Sequence, residues 1–411
     1  MEAAVIYLDN NATTPIHPLV AAAIEPYLHG HGGNPSSGHA FGQDAAAAVA
    51  RAREQVAELL GCSPGEVVFT GGGSEADNLA LKGVAWAHRD RGRHLVVSAV
   101  EHPAVIEPAR FLEREGWEVT VIGVDRSGRV DPEAVSAVLR DDTVLVSVMH
   151  SNNETGTINP IAGIAAAAHA RGALVHTDAA QSTGKVPTLV DELGVDLLTI
   201  AGHKLYAPKG IGALFVRRGV VLEPLIHGAG HEGGRRAGTE NVPWIVGLGA
   251  ACAFAQSQGL TDYADGVRPL RDRLHELLAA AIPGLVLNGH PEHRLPNTLN
   301  VSVPGVLGRR ILEGSPGVAA STGSACHEGE DVPSGVLAAM GASPEVSLGA
   351  LRLTLGLQTL PEEIEAAAEE LVRGVARADL PSHLVGLVCP ADMRPSTYDE
   401  NERSKYEVPE P

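Results

Sequence analysis

Asp196-Leu197-Leu198-Thr199-Ile200-Ala201-Gly202-His203-Lys204-Leu205-Tyr206-Ala207-Pro208-Lys209-Gly210 decides how this chain is read. An apolar β-type run ends in a small-residue turn, and Lys204 stands at the turn's exit. The next run, 211–216, is apolar again. Apolar surroundings disfavour an ammonium ion, so a lysine here can be a neutral amine at about neutral pH. A neutral amine forms a Schiff base with an aldehyde. Taken alone, a lysine at such a turn is better read as solvating a loop between two strands. Four other stretches supply what an aldehyde-bearing cofactor needs and turn the reading toward chemistry.

Working outward, the same texture repeats as strand, loop and helix. Strands are predicted at 67–70, 94–99, 118–124, 143–149, 173–177 and 196–201. Helices are predicted at 18–28, 44–60, 74–87, 103–115 and 161–171, and a long polar loop at 29–42. Short, β-branched, nearly continuous apolar runs suit strands covered on both faces. Their alternation with helices implies an α/β fold with a mostly parallel, doubly wound sheet. Functional groups then belong on loops beyond the strand ends.

After Trp244 the pattern changes. Helices are predicted at 245–256 and 267–281, and short strands at 285–287 and 298–303. Thr359-Leu360-Pro361-Glu362 reads as a capping box, followed by Ile364, Ala368, Leu371 and Val375 at helical spacing. We expect a large domain at 15–255. A smaller α+β domain would comprise 1–14 and 256–380 and carry a mobile small-residue loop with Cys326. Residues 381–411, polar and proline-containing, form a C-terminal tail.

The chain has 411 residues, 44% of them apolar, enough for two domains with a large core. Aromatics are only 3%, so packing leans on Ala, Val, Leu and Gly. A formal net charge of -19 argues against nucleic acid or an anionic membrane as partner, because no basic surplus exists to meet phosphates. No apolar run of about 18 residues and no secretory signal pattern occurs, so the expected location is the cytoplasm. Cys62, Cys252, Cys326 and Cys389 stand far apart, without the Cys-x-x-Cys spacing of a zinc site or redox dithiol.

Gly71-Gly72-Gly73-Ser74-Glu75-Ala76 follows a strand and opens a helix, an arrangement that offers N–H groups and a favourable dipole to an anion. A plain tight turn has the same composition. His176-Thr177-Asp178-Ala179-Ala180-Gln181 puts an acid where a buried strand meets its loop. Asp178 could pair with a protonated pyridine nitrogen, or cap the next helix, or bridge to an arginine. His102, at another strand end, could stack on a ring and move protons, or serve only as the first residue of a helix. Asn152-Asn153 could hydrogen-bond a ring oxygen or simply make a turn. Ser321-Thr322-Gly323-Ser324-Ala325-Cys326 holds a thiol among small residues, where a thiolate could act as a nucleophile.

Together these stretches resemble the NifS/IscS-type cysteine desulfurases and the related selenocysteine lyases, in the class V aminotransferase group. The resemblance runs from Tyr7 to Ala376. It rests on Tyr7-Leu8-Asp9 with Ala12-Thr13-Thr14-Pro15, Gly33-Asn34-Pro35-Ser36-Ser37, Glu101-His102, Asn152-Asn153-Glu154-Thr155-Gly156, His176 to Gln181, Gly202-His203-Lys204, Arg236-Ala237-Gly238-Thr239-Glu240-Asn241 and Gly323-Ser324-Ala325-Cys326.

The resemblance implies a type I pyridoxal-phosphate fold and assigns roles residue by residue. Lys204 takes the cofactor aldehyde and moves the substrate Cα proton. His102 stacks on the ring, Asp178 meets the ring nitrogen, and Asn153 and Gln181 contact the ring oxygen. Gly73, Ser74 and His203 hold the phosphate, helped by Thr239 from the other subunit of a homodimer. Arg352 clamps the substrate carboxylate and Asn34 helps orient substrate. Cys326 takes the sulfur as a persulfide for an acceptor protein.

Two positions depart from the family pattern. Ala201 stands where a phosphate-binding Ser is usual, and Gly356-Leu357 stands where Gly-Arg is usual. Ala201, Leu295-Pro296-Asn297-Thr298 and Cys326-His327 resemble selenocysteine lyases as much as desulfurases. A third reading, an inactive scaffold that binds a sulfur-pathway partner, is opposed by the intact set of Lys204, Asp178, His102 and Cys326.

Overall fold

The computed structural model describes residues 5–30, 32–322 and 332–378. Cys326 and the expected tail, 381–411, lie outside the described residues.

Strand β1 (Ile6–Tyr7) precedes two helices, Pro18–His29 and Ala40–Leu60. Then come β2 (Val67–Thr70), β3 (His94–Ser98), β4 (Glu118–Ile122), β5 (Thr143–Ser147), β6 (Leu174–Asp178), β7 (Leu197–Ala201) and β8 (Gly212–Val216). These seven strands form one sheet in the order β2-β8-β7-β6-β5-β3-β4. All are parallel except β8, which runs antiparallel to both β2 and β7. The link 202–211 is too short for a crossover of roughly a dozen residues or more, so the chain must turn back on itself.

The sheet is covered on both faces, as its apolar runs require. Phe69, Val96, Val146, Val175 and Leu198 enter one core with the helices Ala40–Leu60, Ile161–His169 and Val242–Gln258. Val68, Leu95, Val97, Leu145 and Leu197 enter the other with Leu79, Val84, Val105 and Leu112. Neighbouring residues such as Leu197 and Leu198 point to opposite faces, the two-residue period of a strand. Sheet order reverses between β3 and β5. That reversal opens a crevice beyond their carboxyl ends.

After Gly259 the helix Leu260–Ala281 leads into β9 (Val286–Asn288), β10 (Thr298–Ser302), β11 (Val318–Ala319) and β12 (Ala350–Thr354). The strands β9, β10 and β12 form an antiparallel sheet in the order β12-β10-β9, while β1 pairs with β11 in parallel. Leu8, Tyr263, Leu274, Val301, Leu353, Ile364 and Leu371 fill a separate core beneath them.

Several boundaries differ from expectation. The second helix begins at Ala40, inside the expected loop, because His39 Nδ1 accepts the Gly42 N–H and caps it. A helix at Pro132–Val138, capped by Asp131, was not predicted. The last helix is capped one residue later than expected. Thr359 Oγ1 is spent on the Gly356 N–H, and Glu363 Oε2 accepts the Leu360 N–H instead. Among the described residues, no helix is long and apolar enough to cross a membrane.

Candidate active site

The carboxyl ends of β2, β3, β5, β6 and β7 deliver the site. β7 stops at Ala201, and Gly202–Lys204 makes a single 3-10 turn. Tyr206 follows with φ of 61°, a left-handed conformation that costs a bulky residue of the order of 1 kcal/mol or more. Three bonds hold it there: its N–H donates to Thr14 Oγ1 at 2.8 Å, its carbonyl accepts the His17 N–H at 3.1 Å, and its Oη accepts the Leu357 N–H at 2.8 Å. That last bond uses only the backbone N–H of residue 357, which an arginine would offer equally; the leucine side chain itself packs against the core beneath β10 and β12.

Lys204 is half-buried. Burial pushes its amine down to about 8, while the Asp178 carboxylate pulls the other way. Asp178, 6% exposed, closes β6, and its Oδ1 accepts the Ala180 N–H at 2.8 Å. The expected alternative, a cap on the next helix, is not met: a turn follows Asp178, the next helix starts at Val190, and this oxygen serves the turn. His102 follows β3 and caps the helix Pro103–Arg114, its Nδ1 accepting the Ala104 N–H at 3.1 Å. That bond commits Nδ1 as an acceptor and leaves Nε2 as the atom able to carry a proton. Burial lowers the His102 pKa, and Asp178 opposes it. His203 is pushed down to about 4 by burial and then by the Lys204 charge.

Two more carboxyls lie beneath Asp178. Asp77 is held well above the carboxylate range by burial and by the Asp178 charge, and burial raises Glu101 to about 8. Burial thus favours the protonated form of both. Lys185, 3% exposed and pushed down to about 7 by burial, reaches Gln181 Oε1 at 3.5 Å. Gln181 Nε2 donates to the Asn11 carbonyl at 3.0 Å.

The glycine turn lies against the end of β7. Gly72 has φ of 147°, and a Cβ on Gly73 would stand 3.1 Å from the Ala201 Cβ. Ala201 therefore faces the turn directly. Ser74 is exposed at the start of a helical run that continues through a π turn at Leu79–Gly83 to His88. Glu75 ties the turn to the Thr239 segment: its Oε2 accepts the Gly71 N–H at 2.7 Å and its Oε1 meets Arg236 Nε at 2.9 Å.

Across the crevice, β12 presents Arg352, 7% exposed. Its Nη2 pairs with Asp9 Oδ1 at 2.9 Å, and its Nη1 lies 3.4 Å from the Asn153 carbonyl. Lys204, Asp178, His102, His203, Asn153, Gln181 and Arg352 are thus gathered in one place. Thr239 is exposed, and Asn34 is exposed with its Oδ1 accepting the local Ser36 N–H.

The model for "Aminotransferase class-V" matches residues 6–367. The chain is 45% identical over 370 residues to "Cysteine desulfurase IscS" of Dictyoglomus turgidum, covering 90% of this chain and 94% of that protein. It is 44% identical over 366 residues to the protein of the same name from Methanosarcina thermophila, covering 89% and 90%. A solved "NIFS-LIKE PROTEIN" superposes with a TM-score of 0.85 at 35% identity, covering 90% of this chain and 99% of that one. The chain belongs to the class V aminotransferase family.

The residues present fit the pyridoxal phosphate that this class V fold implies. An amine lowered to about 8 suits an aldehyde, and a buried carboxyl at the end of β6 with one oxygen left over from its turn bond suits a pyridinium. The glycine turn at a helix start suits a phosphate.

Other residues beside the crevice were given no role by the sequence reading, although Asp9 and Ala12 to Pro15 were among the stretches that carried the resemblance. The stretch 9–14 joins every wall: Asn11 Nδ2 donates to the Asn153 carbonyl and to Thr298 Oγ1, and the Thr14 N–H donates to the His203 carbonyl. The density of short polar residues after β1 was the available signal. For Lys185 and Asp9 nothing in the sequence singled out a role.

Proposed function

We propose that the chain is a pyridoxal-phosphate-dependent cysteine desulfurase that works as a homodimer. L-Cysteine gives L-alanine, and its sulfur stays on Cys326 as a persulfide for an acceptor protein. The observation that carries this reading is a lysine of lowered pKa facing Asp178 across a crevice from Arg352.

Bound cofactor supplies an electrophilic carbon and an electron sink. Arg352 binds the substrate carboxylate and fixes the amino acid's orientation. Lys204 Nζ, neutral once its proton is lost, takes the Cα proton and returns one on the other side of the reaction. His102 Nε2 holds a proton near the reacting atoms. The Cys326 thiolate attacks the substrate sulfur, so an S–S bond forms as the Cβ–S bond breaks. The electron pair stays with the carbon skeleton, which is protonated to alanine. Cys326 is only four residues beyond Thr322, a reach of at most about 14 Å. Ser321, just before it, exchanges two backbone hydrogen bonds with Arg352. The far flank is tied as well, since Ser334 donates to Glu154. Thr239 would complete the phosphate site of the second subunit.

The test is alanine release from cysteine and selenocysteine side by side, with Cys326 and with Cys326→Ser. The expected result is loss of cysteine turnover and of persulfide in the variant. Full selenocysteine turnover by Cys326→Ser, with little turnover of cysteine by the parent, would favour a lyase. A protein that stays colourless with added cofactor would overturn both.

A further inference from the structure

We propose that Asp9 is a positioning residue that also tempers the clamp: a resident carboxylate that holds Arg352 in place and raises the cost of entry for any other carboxylate. The inference rests on Arg352 being the substrate clamp and adds a second charge to it.

Three observations carry it. Asp9 Oδ1 meets Arg352 Nη2 at 2.9 Å, by one oxygen only. Arg352 Nε is buried and has no hydrogen-bond partner, and the Nη1 contact to the Asn153 carbonyl is long at 3.4 Å. The guanidinium therefore has one strong bond to Asp9 and spare N–H groups for a second anion. Finally, the pairing is built into the backbone. Asp9 bridges to Thr354, two residues beyond Arg352 on β12, with the Thr354 N–H donating to the Leu8 carbonyl at 2.7 Å and the Asn10 N–H to the Thr354 carbonyl at 3.2 Å. Tyr7 Oη donates to the Thr13 carbonyl at 2.8 Å and fixes the same turn from the other side.

An arginine already paired is a weaker magnet for anions than a bare one. A carboxylate that binds Arg352 must sit beside the Asp9 charge, and at that range like charges repel strongly even with protein screening. The penalty falls on every carboxylate alike. An α-amino acid offsets it through its second attachment, by way of its amino group, whereas a simple carboxylate has no such offset. Asp9 thus lowers the occupancy of the clamp by simple acids, and the second attachment lets an α-amino acid bind in spite of the same penalty.

The experiment titrates cofactor-loaded wild type, Asp9→Asn and Arg352→Gln with sodium propionate at constant ionic strength, reading the cofactor's absorbance. Asn keeps an oxygen for Nη2 and removes only the charge. Asp9→Asn is expected to bind propionate about tenfold more tightly and to lower KM for cysteine by a similar factor. A gain of anion affinity is a change that mere loss of structure would not produce. Unchanged or weaker propionate binding by Asp9→Asn, with cofactor and circular dichroism intact, overturns the proposal. Asp9→Ala, expected to lose orientation as well, should gain less than Asp9→Asn; an equal or larger gain would refute the positioning half. If Arg352→Gln bound propionate as well as wild type, the clamp reading itself would fail, a result separate from the Asp9→Asn outcome.

Discussion

On the large-sheet side of the crevice, burial moves Lys204, His102 and His203 toward their neutral forms. On the β12 side, Arg352 pairs its guanidinium with Asp9 at 2.9 Å. The first wall sits at the ends of strands covered on both faces, where desolvation dominates. A neutral amine and a neutral imidazole are what proton transfer and covalent attachment need. The second wall is a strand from a smaller sheet, and there the charge is retained and balanced. A balanced cation suits recognition of an anion. On the proposed reading, one wall makes bonds and the other holds the substrate.

That contrast is broken most directly by removing its chemical centre. Lys204→Ala is expected to lower alanine release by at least about a thousandfold, with folding retained by circular dichroism. Activity near the parental level would dissolve the distinction. Arg352→Gln is expected to raise KM for cysteine by about a hundredfold and to change kcat far less. A fall in kcat with unchanged KM would move Arg352 to the bond-making wall.

The pH dependence sharpens the same point. Attachment of the cofactor aldehyde needs Lys204 without its proton. The rate at which apo-protein takes up pyridoxal phosphate should therefore rise with pH and level off above about 8. A rate that keeps climbing toward the ordinary lysine range would mean that burial does not tune the amine. The smallest expected effect concerns Ala201, whose Cβ faces the glycine turn. Ala201→Ser adds a hydroxyl beside the phosphate and is expected to tighten cofactor retention by about threefold to tenfold, measured by dialysis of the loaded protein. Equal retention would show that the hydroxyl finds no phosphate there.

The first wall was legible in the sequence and the second only in part. β5, β6 and β7 announce themselves as apolar β-branched runs, so Asp178 and Lys204 fall at strand ends by inspection. The direction of β8 and its pairing with β7 follow from the short link between them, but the pairing of β8 with β2 joins segments far apart in sequence and leaves no local trace. The helix Pro132–Val138 was missed because seven residues carry too little periodicity. Asp9 and Arg352 are 343 positions apart, and their pairing is set by an isolated bridge from Asp9, just beyond β1, to Thr354 at the end of β12. Lys185 looks like any lysine after a glycine until the fold encloses it.

Lys185 also frames the decisive measurement. Its amine is lowered further than that of Lys204, to about 7, yet it is enclosed and turned toward Gln181 Oε1. A choice by pKa alone would attach the cofactor there, whereas the geometry attaches it to Lys204, which keeps part of its surface open to the crevice. Borohydride reduction of the loaded protein, proteolysis and mass mapping will show which amine carries the phosphopyridoxyl group. The label is expected on the peptide containing Lys204, at one per chain. Label on Lys185, or no stoichiometric label at all, would contradict the account.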